Sequence, residues 1–268
     1  MFSIYASAFN LIKNKFDYQS ALENFCAFAE EVVIAVNTSD DGTFETLTTL
    51  KLKYPNLNVI RTSFAYDDIL FDGKIKNAAL QATTQEFKIG LDMDERIPLR
   101  DKEKWTNMAY TLRFSDVEAL MIPSLNLWGS FHSIKDSLDE NIKYKWYLHK
   151  GGLHRGVVDF AKLGNGKIDI NKSDTCELID SKGSLAKSGK VFANVRSLDE
   201  WLSFIDGNLF VYHLGYVDFS ERELRNQFWG PHWALRAGQT EIPKNIVFST
   251  EEMSKHNIRQ HNLKLWNE

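Results

Sequence analysis

Apolar residues near the start of the chain come in short blocks whose period alternates. Phe2 to Ala8 reads as a short strand. Tyr18, Ala21, Leu22, Phe25 and Ala29 then recur at helical spacing. Val32 to Val36 is an unbroken apolar run rich in β-branching, the pattern of a strand covered on both faces. It ends in Asn37-Thr38-Ser39-Asp40-Asp41-Gly42-Thr43, a dense turn signal. A helix is predicted from Phe44 to Lys53, stopped by Pro55, and a third strand from Asn58 to Thr62. Asp72 reads as a helix cap ahead of Ile75, Ala78, Ala79 and Ala82. Phe87 to Leu91 is a fourth strand that runs straight into Asp92-Met93-Asp94-Glu95.

Repeated β-α-β units imply a parallel sheet with helices on both sides, so the fold class is α/β. Ligands bind such sheets outside the carboxyl ends of the strands. The polar clusters Ser7 to Asn10, Asn37 to Asp41 and Asp92 to Glu95 all follow strands and gather at that edge. Past about Arg100 the pattern changes to a mixed α+β C-terminal part. Trp105, Met108, Ala109 and Leu112 mark a helix, and Glu118 to Ser124 and Lys143 to His149 read as strands. Gly151 to Lys190 is loop-rich. Ser197 with Glu200, Ser220 with Glu223 and Ser249 with Glu252 have the spacing of capping boxes. No repeat or linker divides the chain cleanly.

Composition narrows the class. The 268 residues are 43% apolar and 25% charged, which excludes a disordered or collagen-like chain. Thirty-two basic against thirty-six acidic residues leave no overall surplus for nucleic-acid binding, although a local basic patch stays open. Cys26 and Cys176 are too few for a disulfide framework and point to a reducing compartment. The uncharged stretch Ala119 to Ile134 carries Pro123, Asn126, Gly129 and several serines, so it is no membrane helix. Met1 to Asn10 lacks the basic start and apolar run of a signal peptide. The expectation is a soluble cytoplasmic protein, with peripheral membrane contact left open.

Asp92-Met93-Asp94-Glu95 carries the clearest chemistry. At an extended strand end, residues two apart point the same way, so Asp92 and Asp94 would present paired carboxylates. Such a pair suits Mg²⁺ or Mn²⁺, completed by substrate phosphates, and the ion would stabilise a departing diphosphate. The plain alternative is a solvated acidic turn.

Three ordered segments turn this pattern into a resemblance. EVVIAVNTSDDGT, ending at Thr43, is followed by GKIKNAAL from Gly73 to Leu80 and FKIGLDMDERI from Phe87 to Ile97. In order and spacing they resemble family-two glycosyltransferases with the GT-A fold, a Rossmann-type mostly parallel central sheet flanked by helices. The likeness covers about the first hundred residues, and its last segment holds the DxD-type motif. It implies that residues 1–100 form a nucleotide-sugar-binding half of one domain and 101–268 an acceptor-binding half with C-terminal helices. Ser7 and Asn10 would border the nucleotide, and Asn37 and Asp41 would meet its base, although many family members carry an acid where Asn37 stands. Lys76 would face the diphosphate, or else be a solvated helix lysine. Asp92 would approach the ribose or metal, and Asp94 the metal and diphosphate. His213, in Tyr212-His213-Leu214-Gly215, matches a late histidine that completes the metal shell in several GT-A enzymes; its alternative is a hydrogen-bonded histidine at a strand end.

An inverting transfer also needs a base near the acceptor hydroxyl. Asp159 lies where relatives that extend lipopolysaccharide cores carry an acid, with Glu95 and Asp218 as rivals. His154 and Arg155 would touch diphosphate or acceptor, or close a loop. Phe228-Trp229-Gly230-Pro231-His232-Trp233, Trp128 and Trp146 suit sugar faces, though aromatic clusters more often form core. The resemblance thus implies transfer of a sugar from a nucleotide-diphosphate donor to a saccharide or glycolipid acceptor in cell-envelope polysaccharide synthesis, with Mn²⁺ or Mg²⁺ as cofactor. A nucleotidyltransferase would show a Gly-rich basic loop after the first strand, where Ala6-Ser7-Ala8-Phe9-Asn10 stands. A non-catalytic carbohydrate-binding protein on a degenerate transferase fold is the third reading.

Overall fold

The computed structural model describes residues 1–68, 70–114, 119–120, 122, 124–136, 153–155, 197–236 and 249–268. In chain order β1 (Phe2–Ala8), α1 (Tyr18–Phe28), β2 (Glu31–Asn37), α2 (Thr43–Leu50), β3 (Leu57–Thr62), α3 (Phe71–Gln81) and β4 (Phe87–Gly90) alternate as the apolar pattern requires. β5 (Glu95–Arg96) and α4 (Lys102–Arg113) follow. Then come β6 (Ala119–Leu120), β7 (Ser124–Trp128), β8 (Ser133–Lys135) and β9 (Leu153–Arg155). The last elements are α5 (Leu198–Gly207), β10 (Val211–Tyr216), α6 (Phe219–Arg236), α7 (Thr250–Ser254) and β11 (Ile258–Gln260).

The first sheet has the order β3-β2-β1-β4-β9-β6. β3, β2, β1 and β4 are parallel, and β9 pairs antiparallel with β4 and β6. Period-two alternation sorts its side chains. Ile4, Ala6, Ala8, Val32, Ile34 and Val36 meet Leu22 and Phe25 of α1, Leu47 of α2 and Trp105 and Ala109 of α4. Tyr5, Val33 and Ala35 meet Phe71, Ile75, Ala79 and Leu80 of α3. Helices therefore cover both faces, which is why the central strands read as continuous apolar runs. From β1 the chain proceeds outward to β2 and β3, then returns to place β4 on the other side. The gap between the carboxyl ends of β1 and β4 is thus a topological switch point.

A second sheet, β11-β8-β7-β10-β5, packs Leu125, Leu127, Phe210, Tyr212 and Leu214 against Trp201 and Ile205 of α5. The chain passes from the first sheet to the second between Gly90 and Glu95. α1 holds that passage: the buried Asn24 amide donates to the Ile97 carbonyl at 2.8 Å and accepts from the Ile97 N–H at 2.9 Å. Arg96, fully buried, donates to the carbonyls of Met93, Glu95 and Asp17 and to Ser20 Oγ.

Several local expectations change. Asp72 is not the cap of α3: Leu70 holds that position and Asp72 lies in the first turn. Of the predicted strand Glu118 to Ser124, Ala119 and Leu120 form β6 in the first sheet and Ser124 opens β7 in the second, while Glu118, Met121 and Pro123 lie outside the described residues. Ser197 accepts from the Glu200 N–H, and Ser249 and Glu252 form a full capping box. Ser220 does not cap α6. Asp218 does, its Oδ1 accepting from Ser220 N and Glu221 N, while Glu223 reaches Thr250 instead. Residues 143–149 and most of 151–190 lie outside the described residues. Among the described residues no helix is long and apolar enough to cross a membrane.

Candidate active site

The carboxyl ends of β1, β2 and β4 bring the expected polar clusters to one edge. Two loops there are laced together. Asn10 adopts the left-handed region at φ 50°, which suits asparagine. Its Oδ1 accepts from the Asp40 N–H at 3.2 Å, and its own N–H donates to Ser39 Oγ. Asp41 accepts from the N–H groups of Lys13 and Thr43, which hold its carboxyl below the usual range against partial burial. Asn37 is buried, with Oδ1 accepting from Phe64 N and Thr62 Oγ1 and Nδ2 donating to the Phe64 carbonyl. The amides of Asn10 and Asn37 and the Asp41 carboxyl thus shape the edge through their bonds to neighbouring loops.

Asp92 and Asp94 do not lie on an extended strand end. The Glu95 N–H donates to the Asp92 carbonyl at 2.9 Å, closing a turn, and Glu95 Oε2 accepts the Asp92 N–H at 2.9 Å. The turn separates the two carboxylates. Asp92 pairs with Lys76 Nζ at 2.6 Å, and Asp72 lies 4.0 Å from the same ammonium. Lys76 is 5% exposed, so it is not a solvated helix lysine; the helical turn from Gly73 to Lys76 carries it under the edge. Ser7 Oγ donates to Asp72 at 3.3 Å and joins the same group.

Asp94 turns toward the second sheet. Its backbone carbonyl accepts from Leu214 N at 2.7 Å, and its Oδ2 lies 3.5 Å from His213 Nε2 and 3.8 Å from Arg225 Nη1. Burial alone would push its carboxyl upward. His213, Arg225 and Arg222 overcome that and hold it well below the ordinary carboxylate range. His213 sits on β10 with its Nδ1 2.7 Å from Asn126 Oδ1 of β7. The Asn126 bond orients the ring so that Nε2 is aimed at Asp94, the orientation that metal-ligating histidines use. Asp94 and His213 thus fit as two protein ligands for Mn²⁺ or Mg²⁺, whose remaining positions are commonly filled by water and phosphate oxygens. Among the described residues there is no group of three or more His, Cys, Asp and Glu side chains placed to hold a metal.

Glu95 is buried beneath the turn. Burial and the charges of Asp92 and Asp94 push its carboxyl well above the ordinary range. Asp218 is occupied as the α6 cap. His154 is fully buried on β9, 3.0 Å from the Tyr5 hydroxyl and remote from solvent. Arg155 donates to the Arg113 carbonyl. Asp159, Cys176 and Trp146 lie outside the described residues.

The aromatic segment is helical, on α6. Phe228, Trp229 and His232 pack with Phe9, Tyr66 and Phe71 at ring separations of 5.5 to 6.1 Å beside the end of β1. Pro231 lies inside the helix, and the Tyr66 hydroxyl donates to the nearby Phe228 carbonyl at 2.6 Å. Trp128 stacks on Tyr216 at 4.6 Å and donates to the Met253 carbonyl. Asn126, Gly215, Arg222 and Arg225 were not among the expected residues. The arginines carried a signal, since Arg222, Arg225 and Trp229 fall on one helical face just after His213.

No protein-family model and no curated protein matches the chain. Among solved structures it is similar to the mannosyltransferase PcManGT from Pyrobaculum calidifontis in complex with GDP-Man and Mn²⁺. That match has 15% identity and a TM-score of 0.46, over 94% of this chain and 68% of that one. It is similar to S. aureus TarS 1-349 in complex with UDP at 15% identity and a TM-score of 0.41, over 87% of this chain and 72% of that one. A second TarS structure matches at 23% identity and a TM-score of 0.37, over 47% of this chain and only 22% of its own length.

Proposed function

We propose that the chain is a nucleotide-sugar-dependent glycosyltransferase. One observation carries the reading: the β1/β4 switch point holds a carboxylate–ammonium pair, Asp92–Lys76, next to a carboxylate–imidazole pair, Asp94–His213. The motif resemblance of the first hundred residues agrees with it. Lys76, Arg222 and Arg225 supply positive charge for a diphosphate. Asp94 and His213 would hold Mn²⁺ or Mg²⁺, which when bound adds charge stabilisation for the departing diphosphate. Ser7, Asn10, Asn37, Asp41 and Asp92 would border the nucleotide.

In the reaction an acceptor hydroxyl oxygen forms a bond to the anomeric carbon. The bond from that carbon to the diphosphate oxygen breaks, and the nucleoside diphosphate leaves with the electron pair. The hydroxyl proton passes to a carboxylate, which we assign to Asp159, with inversion at the anomeric carbon. Glu95, covered by the turn and bonded to the Asp92 N–H, is assigned to positioning the acidic turn. Fixed charges around the leaving group supply most of the rate. Residues 1–100 serve chiefly the donor and 101–268 chiefly the acceptor, a saccharide or glycolipid of envelope polysaccharide synthesis made on the cytoplasmic side.

The test is donor binding by calorimetry with and without Mn²⁺. Asp94→Ala is expected to lower Mn²⁺-dependent affinity about 100-fold, the upper range for disturbing a metal site, while circular dichroism stays native. Unchanged affinity would remove the metal assignment. A nucleotidyl product in place of a glycoside would overturn the reaction itself.

A further inference from the structure

α6 lays one face over the carboxyl edge of the first sheet. Arg222 and Arg225 stand at one end of that face, beside Tyr216 and Asp94. Trp229 stands at the other, against Phe9 and Phe71. Asn226 falls between them, four residues after Arg222 and three before Trp229, on the same face. It is fully buried, and among the described residues neither its Nδ2 nor its Oδ1 has a hydrogen-bond partner. Asn126, beside His213, likewise keeps its buried Nδ2 without a partner among the described residues.

Leaving a buried amide unmet costs about 1–3 kcal/mol, so a leucine of similar size would serve packing better. Such groups in native proteins call for a specific explanation. The amide itself narrows the ligand, because it offers a donor and an acceptor side by side. A phosphate only accepts, and a metal ion takes only the oxygen; either leaves half the amide unmet. Two adjacent hydroxyls, each able to donate and accept, satisfy both halves.

We propose that Asn226 binds vicinal hydroxyls of the donor, and is a specificity-determining residue for a nucleotide sugar. The proposal rests on the donor-site reading above. Asn226 is covered, so hydroxyls reach it when the neighbouring side chains on this face of α6 part. Vicinal hydroxyls occur on both the ribose and the transferred sugar, and the two are separable.

The experiment measures Tm without ligand, together with calorimetric affinity in Mn²⁺ for the common nucleoside diphosphates and their hexose esters. It compares wild type, Asn226→Leu and Asn226→Ala. Asn226→Leu is expected to hold or raise the Tm, and to weaken binding about tenfold or more, the loss of one or two hydrogen bonds. A loss confined to the nucleotide sugar identifies the hexose hydroxyls; an equal loss for the diphosphate alone identifies the ribose. Both outcomes uphold the assignment. Full affinity in both variants overturns it while leaving the donor site standing, and a lowered Tm with unchanged affinity makes the amide a packing group. A wild-type chain that binds none of these nucleotides brings down the donor-site reading, and this assignment with it.

Discussion

A Cβ on Gly215 would lie 2.7 Å from Cε1 and Nε2 of His213, closer than real carbon contacts come. The ring is the neighbour that must move, yet it is buried and bonded to Asn126. Gly215→Ala should therefore displace His213 and lower Mn²⁺-dependent donor affinity at least about tenfold, roughly 1.4 kcal/mol, with little change in helix content. Calorimetry beside far-UV circular dichroism checks this, and wild-type affinity would detach His213 from the site. At this scale the sequence exposed residue types but not their pairings. Asp92 and Asp94 were visible as an acidic doublet. Their division between Lys76 and His213 was not, because the turn that separates them is set by the Glu95 carboxyl and by a strand more than a hundred residues away. The His213–Asn126 bond spans 87 residues and leaves no local pattern.

Among elements, α6 brings the most to the site from outside the sheet, and its start depends on Asp218. That carboxylate accepts from two backbone N–H groups and from Ser220 Oγ. Asp218→Ala is expected to cost about 1 kcal/mol in urea denaturation, and Asp218→Ser to restore most of it. Rescue of turnover by serine would fit a cap, since serine cannot act as a carboxylate base. Elements of the first half were legible because each strand lies between helices and displays its apolar run without interruption. The second half was harder. β5, β6, β8 and β9 are two or three residues long, too short for any period to register. Pro231 also obscured α6, which continues through it with the Tyr66 hydroxyl on the Phe228 carbonyl.

Across the whole molecule, stability should depend on acid through His154. Burial first, then the nearby Lys88 charge, lowers its pKa to about 3. The unfolded chain binds this proton near the ordinary histidine value of about 6.5. Stability from the neutral ring is therefore full above that pH and falls as pH drops toward the folded value. His154→Phe should flatten the decline in Tm between about pH 6.5 and 4, although its neutral-pH plateau drops because the bond between the Tyr5 hydroxyl and the imidazole is lost. A slope identical to wild type would assign the acid sensitivity to other groups. The two sheets meet in a core where Leu209 and Val211 of the later segment pack with Leu91, Met93 and Ile97. Among the described residues the covalent step between them at this edge is Leu91 to Asp94, with Leu91 tied to Tyr5 on one side and Asp94 tied to Leu214 on the other. Such a strap has no slack. Lengthening or shortening it by a single residue would drag one anchor out of register, so libraries that vary length here should yield almost no survivors, whatever residues they sample.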